Sequence, residues 1–341
     1  MQDYVIGVDL GGTNVRAAGF SASGRRLCRK FHRPSQSQDG PVGTFGAVTR
    51  VVKEVRDALG RDPLAVGLAI PGHVDDAGGR VVWAPNFTEV VDGERRIWEN
   101  VMVRDPLERA TGLRFFMGND ANLAALGEYR FGVGETRAKC LVLLTLGTGV
   151  GGGVILRPEA VQGQATGPMM LLGGNKGGVE LGHIIVSING LDSNAGNYGG
   201  LEGYCRRDAI VNRAVHRLRR GRESLLTERC GRNFSKVTPR MLSEAAEAGD
   251  VLAIEVWEEI GATLGAGIGS LISVFAPDVF AVGGQIAQAG EFLLGPARRA
   301  ARDTAVPTLF QDCTILQAKH GDEAGIQGAA AQALHSLGIH E

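Results

Sequence analysis

One local pattern occurs twice in this chain and limits its fold more than any other feature. It is an apolar strand, a turn containing Leu-Gly, and a second apolar strand, first through Val5–Phe20 and again through Leu141–Leu156. In the first copy a β-branched, alternating run at Tyr4 to Val8 breaks at Gly11-Gly12, and a second apolar run follows at Val15 to Phe20. These runs predict a hairpin, extended into an antiparallel meander by a third run near Leu27 to Phe31. In the second copy Leu141 to Leu146 is a continuous apolar strand, Gly147 to Gly153 a glycine-rich turn, and Val154 to Leu156 the return strand. The spacing is too long for a solenoid repeat. It predicts two domains of related plan, each opening on a glycine-turn hairpin, with a boundary near Gly118.

After each hairpin, strand and helix patterns alternate. Apolar residues recur at helical spacing over 42–59, Leu64 to Ile70 reads as a buried strand ended by Pro71-Gly72, and Phe115 to Gly118 is a short strand before a helix over 121–131. Between them, 80–109 is mixed, with a loop at Pro85-Asn86 flanked by Trp83 and Trp98. The second half predicts a strand at 183–187, a polar loop at 192–200, helices over 201–219 and 251–275, a strand at 279–282 ending in Gly283-Gly284, and a final strand and helix over 314–317 and 324–337. The small residues Gly261, Gly265, Gly267 and Gly269 suit close helix packing. The class is α/β.

Charge narrows the function. Thirty-six basic and 37 acidic residues leave a net charge of -1, without the basic excess of a nucleic-acid binder. The amino-terminal residues carry acid at Asp3 and Asp9 and only a short apolar run, unlike a signal peptide, and no stretch approaches the length of a membrane span. Five scattered cysteines without a CxxC pair argue against a disulfide framework and make the cytoplasm the expected compartment. Glycine is the outlier: 51 of 341 residues, roughly twice ordinary usage. That density implies many positions with left-handed backbone or close approach to a ligand.

The glycine turns are the first candidate sites. In Asp9-Leu10-Gly11-Gly12-Thr13-Asn14 the two glycines allow backbone N–H groups to converge, Thr13 adds a hydroxyl, and Asp9 could hold Mg²⁺ through water. The hexapeptide alone reads equally as a tight hairpin capped by polar residues. In the second turn, Gly147, Thr148, Gly149, Gly151, Gly152 and Gly153 exceed what a plain hairpin needs, so a ligand in close approach is the economical reading. Two such turns could clamp a triphosphate. Neither is a Walker loop or a dinucleotide fingerprint, because no Gly-Lys-Ser/Thr and no helix follows. Gly118-Asn119-Asp120-Ala121-Asn122 lies where a strand meets a helix, so Asp120 is either a helix cap or a general base with Asn119 orienting a hydroxyl. Glu180 and His183 open a strand, and Glu202 begins a helix whose dipole it complements.

Taken in order, these segments resemble the ROK sugar kinases of the actin, hexokinase and Hsp70 superfamily. The residues that carry the resemblance are Asp9–Asn14, Ile70-Pro71-Gly72, Ala84-Pro85-Asn86, Gly118–Asn122, Leu146–Gly153, Glu180–His183, Leu201-Glu202, Gly283-Gly284 and Ala324-Gly325. The resemblance implies two RNase-H-like (actin-like ATPase) domains around a central cleft: 1–118 completed by 319–341, and 119–318. It implies ATP across both glycine turns with Gly283-Gly284 beside the adenosine, and Asp120 as the base that takes a proton from a sugar hydroxyl. Asn119, Glu180, His183 and Glu202 become the sugar-holding set, with Asn86 and Gly72 as further candidates. The expected activity is ATP- and Mg²⁺-dependent phosphorylation of a hexose, most simply glucose, by a homodimer. N-acetylhexosamine or fructose as acceptor, or polyphosphate as donor, are the variants within this class. A sugar-responsive regulator is the alternative from another class, but it carries a helix-turn-helix domain ahead of the first turn, and only eight residues precede Asp9. One departure stands out. Where the family has three zinc-binding cysteines in CxCGxxGC, this chain has Ser193, Ala195 and Gly200, so no structural zinc is expected.

Overall fold

A computed structural model describes residues 3–135, 137–162, 167–174, 179–193 and 196–339. Packing divides the chain into two compact units, one within Met1–Arg137, Gly153–Val179 and Asp322–Glu341, the other within Ala138–Gly152 and Glu180–Gly321. In chain order the elements are β1 (Tyr4–Leu10), β2 (Asn14–Ser21), β3 (Phe31–Pro34), α1 (Gly40–Leu59), β4 (Val66–Ile70), β5 (His73–Asp75), β6 (Arg80–Val91), β7 (Glu94–Met102), α2 (Arg104–Thr111), β8 (Phe115–Asn119) and α3 (Asp120–Phe131). There follow β9 (Cys140–Leu146), β10 (Val150–Leu156), β11 (Met169–Met170), α4 (Glu202–Cys205), α5 (Arg207–Arg219), α6 (Leu225–Arg229), α7 (Pro239–Glu247), α8 (Val251–Phe275), β12 (Val279–Gly283), α9 (Glu291–Thr304), α10 (Pro307–Gln311), β13 (Thr314–Gln317) and α11 (Ala324–Ser336). No helix among the described residues is long and apolar enough to cross a membrane.

The first unit is built on a sheet ordered β3-β2-β1-β4-β8. The meander β1-β2-β3 is antiparallel, and β4 and β8 run parallel to β1. Strand β1 is buried along both faces except at Asp9, which is half-buried. Ile6, Val8 and Leu10 join Val48, Val51, Val52 and Val55 of α1 in one core, and Val5 joins Ile326, Ala330 and Ala333 of α11 in another. Burial on two faces is why β1 reads as an almost continuous apolar run.

Helix α11 lies directly on the sheet. A Cβ at Gly67 would stand 1.7 Å from the Ala329 carbonyl oxygen, and one at Gly7 would stand 2.0 Å from that of Ile326. The same helix receives α3, where a Cβ at Gly328 would fall 2.1 Å from the Leu123 carbonyl. The division therefore comes after Arg137 rather than near Gly118, because α3 packs with the first unit through α11. Much of the glycine excess thus serves backbone packing, not ligands. In the second unit α8 and α9 pack the same way, with a Cβ at Gly265 meeting the Ala297 carbonyl at 2.3 Å.

The second sheet is ordered β11-β10-β9-β12-β13, with β12 parallel to β9 and β13. The unit boundary falls within β10, which begins at Val150, so Gly151, Gly152 and Gly153 are strand residues rather than turn. A Cβ at Gly152 would meet the Leu143 carbonyl at 2.6 Å, so that glycine answers to a neighbouring strand. Two other expectations give way. The mixed stretch at 80–109 is the hairpin β6-β7 followed by α2, and 183–187 forms no strand, with a 3-10 turn at Leu181–His183 and a single bridge from Ile185 to Gly200.

Candidate active site

In the first unit the turn after β1 is tied at both ends. Gly11 N–H donates to the Asn14 carbonyl at 2.9 Å, Ser35 N–H to the Thr13 carbonyl at 2.9 Å, and the Ser37 hydroxyl to the Gly12 carbonyl. Gly12, Thr13 and Asn14 are exposed. Asp9 sits against the first turn of α11, where a Cβ at Gly325 would come within 2.5 Å of its carboxyl carbon. Burial pushes the Asp9 carboxyl up to about 6, and the charge of Asp120 adds to that, while Arg16 and Lys30 pull the other way. Asp9 and Asp120 are therefore close enough to repel, and a cation beside them would relieve the repulsion.

The Asn119-Asp120 pair resolves an ambiguity in the motif. The cap of α3 is Asn119, whose Oδ1 accepts from Ala121 N–H at 3.0 Å and Asn122 N–H at 3.1 Å. Its Nδ2 donates to the Gly72 carbonyl at 3.0 Å. Asp120 is the first helical residue, half-buried, with Oδ1 accepting from Ala121 N–H at 2.8 Å. Gly72 adopts a φ of +97°, a Cβ there would lie 2.2 Å from the Trp83 carbonyl, and its own carbonyl receives Asn119 Nδ2. Asn86 is exposed on an irregularity of β6, where the register with β7 jumps between Ala84 and Thr88. Phe87 anchors that jump by stacking on Trp98 at 4.9 Å between ring centres.

In the second unit the turn between β9 and β10 rests on Glu202. This buried carboxylate accepts from Val150 N–H at 3.0 Å, and a Cβ at Gly149 would come within 2.5 Å of its Oε2. A Cβ at Gly147 would meet nothing within 4 Å. Thr148 lies in this turn, and Gly283-Gly284 comes alongside it, since Gly283 pairs with Thr145 and a Cβ at Gly284 would touch the Leu146 carbonyl at 2.2 Å. His183 Nε2 stands 4.0 Å from Glu180 Oε2, and its Nδ1 is buried.

The segment that would carry the zinc cysteines is held by hydrogen bonds. Ser193 N–H donates to the Asn197 carbonyl at 2.9 Å, Asn197 Nδ2 to the His183 carbonyl at 3.3 Å, and Leu191 N–H to the Tyr204 hydroxyl at 2.9 Å. Tyr198 within the segment is 66% exposed. Ala195 lies outside the described residues. Cys205 is fully buried, with its thiol pushed up to about 12 by burial. Among the described residues no group of three or more His, Cys, Asp or Glu could hold a metal ion, and the donor set does not fit a closed zinc site.

Asp9, Gly11–Asn14, Gly72, Asn86, Asn119 and Asp120 thus fall in the first unit, and Gly147–Gly152, Glu180, His183, Glu202, Gly283 and Gly284 in the second. Sequence reasoning passed over Ser37 and Tyr204, because a hydroxyl that braces a backbone from a distant segment leaves no local pattern.

The sequence matches the ROK family over residues 5–336. A glucokinase of Thermotoga maritima is 33% identical over 327 residues, covering 96% of this chain and 96% of the relative. The crystal structure of a ROK family glucokinase from Streptomyces griseus, in complex with glucose and AMPPNP, is similar at a TM-score of 0.79 and 32% identity, covering 96% of this chain and 98% of that one. A xylose repressor of Caldicellulosiruptor bescii is 24% identical over 98% of this chain and 78% of the repressor.

Proposed function

This chain belongs to the ROK family, and from that premise we propose that it transfers the γ-phosphoryl group of ATP to the primary hydroxyl of a hexose, glucose before others. The observation that supports this most directly is the carboxylate of Asp120, set at the first position of α3 with the cap duty taken by Asn119. Phosphoryl transfer asks little covalent chemistry of a protein beyond positioning and one base. Asp120 accepts the proton of the sugar hydroxyl as its oxygen bonds to phosphorus and the bridging oxygen leaves with ADP. Asn119 keeps one Nδ2 hydrogen for a sugar hydroxyl once the other is on Gly72. Glu180, His183 and Glu202 supply further polar contacts to the hexose, while the two glycine turns offer N–H donors to the phosphates. Asp9 would hold Mg²⁺ through water, and the ion would supply countercharge to the β- and γ-phosphates.

A coupled assay of ADP release over glucose, N-acetylhexosamines and fructose tests the reading. Turnover with glucose is expected. Preference for an amino sugar or fructose would replace the substrate, turnover only with polyphosphate would replace the donor, and none with any pair would overturn the kinase. A cytoplasmic homodimer goes with this reading: all five cysteines are free thiols, which suits a reducing compartment, and light scattering reads the dimer.

Gly149→Val should raise the KM for ATP by about tenfold or more, because its side chain would push Glu202 off Val150 N–H and break a charge-assisted bond. Gly147→Ala, which meets no neighbour, should leave the melting temperature unchanged, so any loss of ATP affinity there reports the ligand alone. Unchanged KM in Gly149→Val with a large fall in melting temperature would make the turn purely structural. Untagged protein is also expected to carry no stoichiometric zinc. Near one zinc per chain by elemental analysis, with activity lost to a chelator, would show that other ligands rebuilt the site.

A further inference from the structure

We propose that Ser37 is a positioning residue that sets the direction of the backbone donors in the first glycine turn. This role rests on the kinase reading only for the identity of the anion. A trans peptide is planar, with its C=O and N–H pointing opposite ways. Whatever grips a carbonyl therefore aims the next residue's N–H. The Ser37 hydroxyl grips the Gly12 carbonyl, so the Thr13 N–H is directed away from Ser37. The Ser35 N–H grips the Thr13 carbonyl at 2.9 Å, so the Asn14 N–H is directed away from Ser35. Two consecutive peptide planes are thus held from one side by one segment, at exposed residues of a turn otherwise closed by the bond from Gly11 N–H to the Asn14 carbonyl.

That segment is itself fixed. Ser35 and Ser37 are 0% and 2% exposed, and the Ser37 carbonyl accepts from Thr88 N–H at 2.9 Å in β6. Gln38 adds a long contact from Nε2 to the Asn86 carbonyl at 3.4 Å. The brace is therefore anchored in the strand that presents Asn86, and it does not depend on a ligand to form. Preformed donors cost no reorganisation when the phosphate arrives. Ser37 bonds the turn through its hydroxyl and β6 through its carbonyl, so the brace can be cut without breaking the bond to β6.

The chain contains its own control. Ser35 is equally buried and two residues away, but its hydroxyl has no hydrogen-bond partner among the described residues. Ser35→Ala and Ser37→Ala thus remove the same group from neighbouring sites, and only the second frees the Gly12 carbonyl. The experiment is calorimetric binding of AMPPNP to wild type and both variants, with KM values for ATP and glucose and hydrogen exchange over 10–16. Ser37→Ala is expected to weaken nucleotide binding by about 5–10-fold, the range of one lost hydrogen bond, and to raise exchange in the turn. Its KM for glucose should stay within about twofold and its melting temperature within about 2 °C. Ser35→Ala should match wild type in nucleotide affinity, and Ser37→Cys, which keeps the volume and a weak donor, should fall between.

Equal nucleotide affinity in wild type and Ser37→Ala overturns the positioning role. So does an equal loss in both alanine variants that follows their melting temperatures. A wild type that binds AMPPNP but phosphorylates no hexose, with Ser37→Ala still selectively weakened, overturns the kinase reading and leaves the positioning role standing. A wild type that binds no nucleotide overturns both.

Discussion

Asp120→Asn is expected to lower kcat by about 10²–10⁴, the usual contribution of a positioned base, while glucose affinity stays within a few-fold. The substitution preserves shape and can keep the bond from Ala121 N–H to Oδ1. It removes the one property a base needs, an anionic oxygen that can take a proton. The fold has little reason to suffer, because the cap of α3 is Asn119 and its bonds to Ala121, Asn122 and Gly72 are untouched. The lost charge–dipole attraction costs about 0.3–1 kcal/mol, and relief of repulsion with Asp9 offsets part of it. If the variant keeps more than half of wild-type kcat, with unaltered glucose KM, Asp120 is only a helix residue and the base lies elsewhere.

Asp9→Asn should separate stability from activity. The Asp9 carboxyl is raised from 3.8 to about 6, first by burial and then by Asp120. A carboxyl raised in the folded state favours folding while it is protonated, below about pH 4, and that benefit is lost as pH rises through about 6. Above that range the ionised group costs the native state of the order of 2–3 kcal/mol, from about two pKa units. Asparagine cannot ionise, so the variant should be more stable than wild type at pH 8, by up to that amount. The two should converge near pH 4. If Asp9 holds Mg²⁺ through water as proposed, catalysis should move the opposite way, with kcat falling by about 10²-fold at pH 8. Denaturant midpoints at pH 4, 6 and 8 decide the first half, and a variant no more stable than wild type at pH 8 would refute it.

What was legible in the sequence followed from local periodicity. The hairpin at β1-β2, the buried strands β4, β9 and β12 and the long helix α8 all declare themselves within a few residues of their own positions. The hairpin β6-β7 did not, because Pro85 and the charged run around Arg95 and Arg96 break the alternation while Trp98 and Phe87 hold it together from opposite strands. The glycines after Val150 read as turn but lie in β10 for a related reason: what forbids a side chain at Gly152 is the Leu143 carbonyl across the sheet, and nothing local announces it. The candidate residues stand out as motifs, but the contacts they make within the fold do not. Asn119 rather than Asp120 caps α3, the Gly72 carbonyl receives Asn119 Nδ2, and Glu202 braces a turn about fifty residues upstream.

Helix α11 carries a consequence for how the protein is made. The sheet of the first unit leaves the ribosome early, with Gly7 and Gly67 already in place, but the helix that covers them is translated only after the whole second unit. During that interval Val5, Ala18 and Ala65 lack the cover they have in the finished protein. Order of synthesis and order of completion are therefore opposed. The second unit can consolidate on the ribosome while the first waits, and the nascent chain is most exposed to aggregation, and most in need of a chaperone, late in translation rather than at its start.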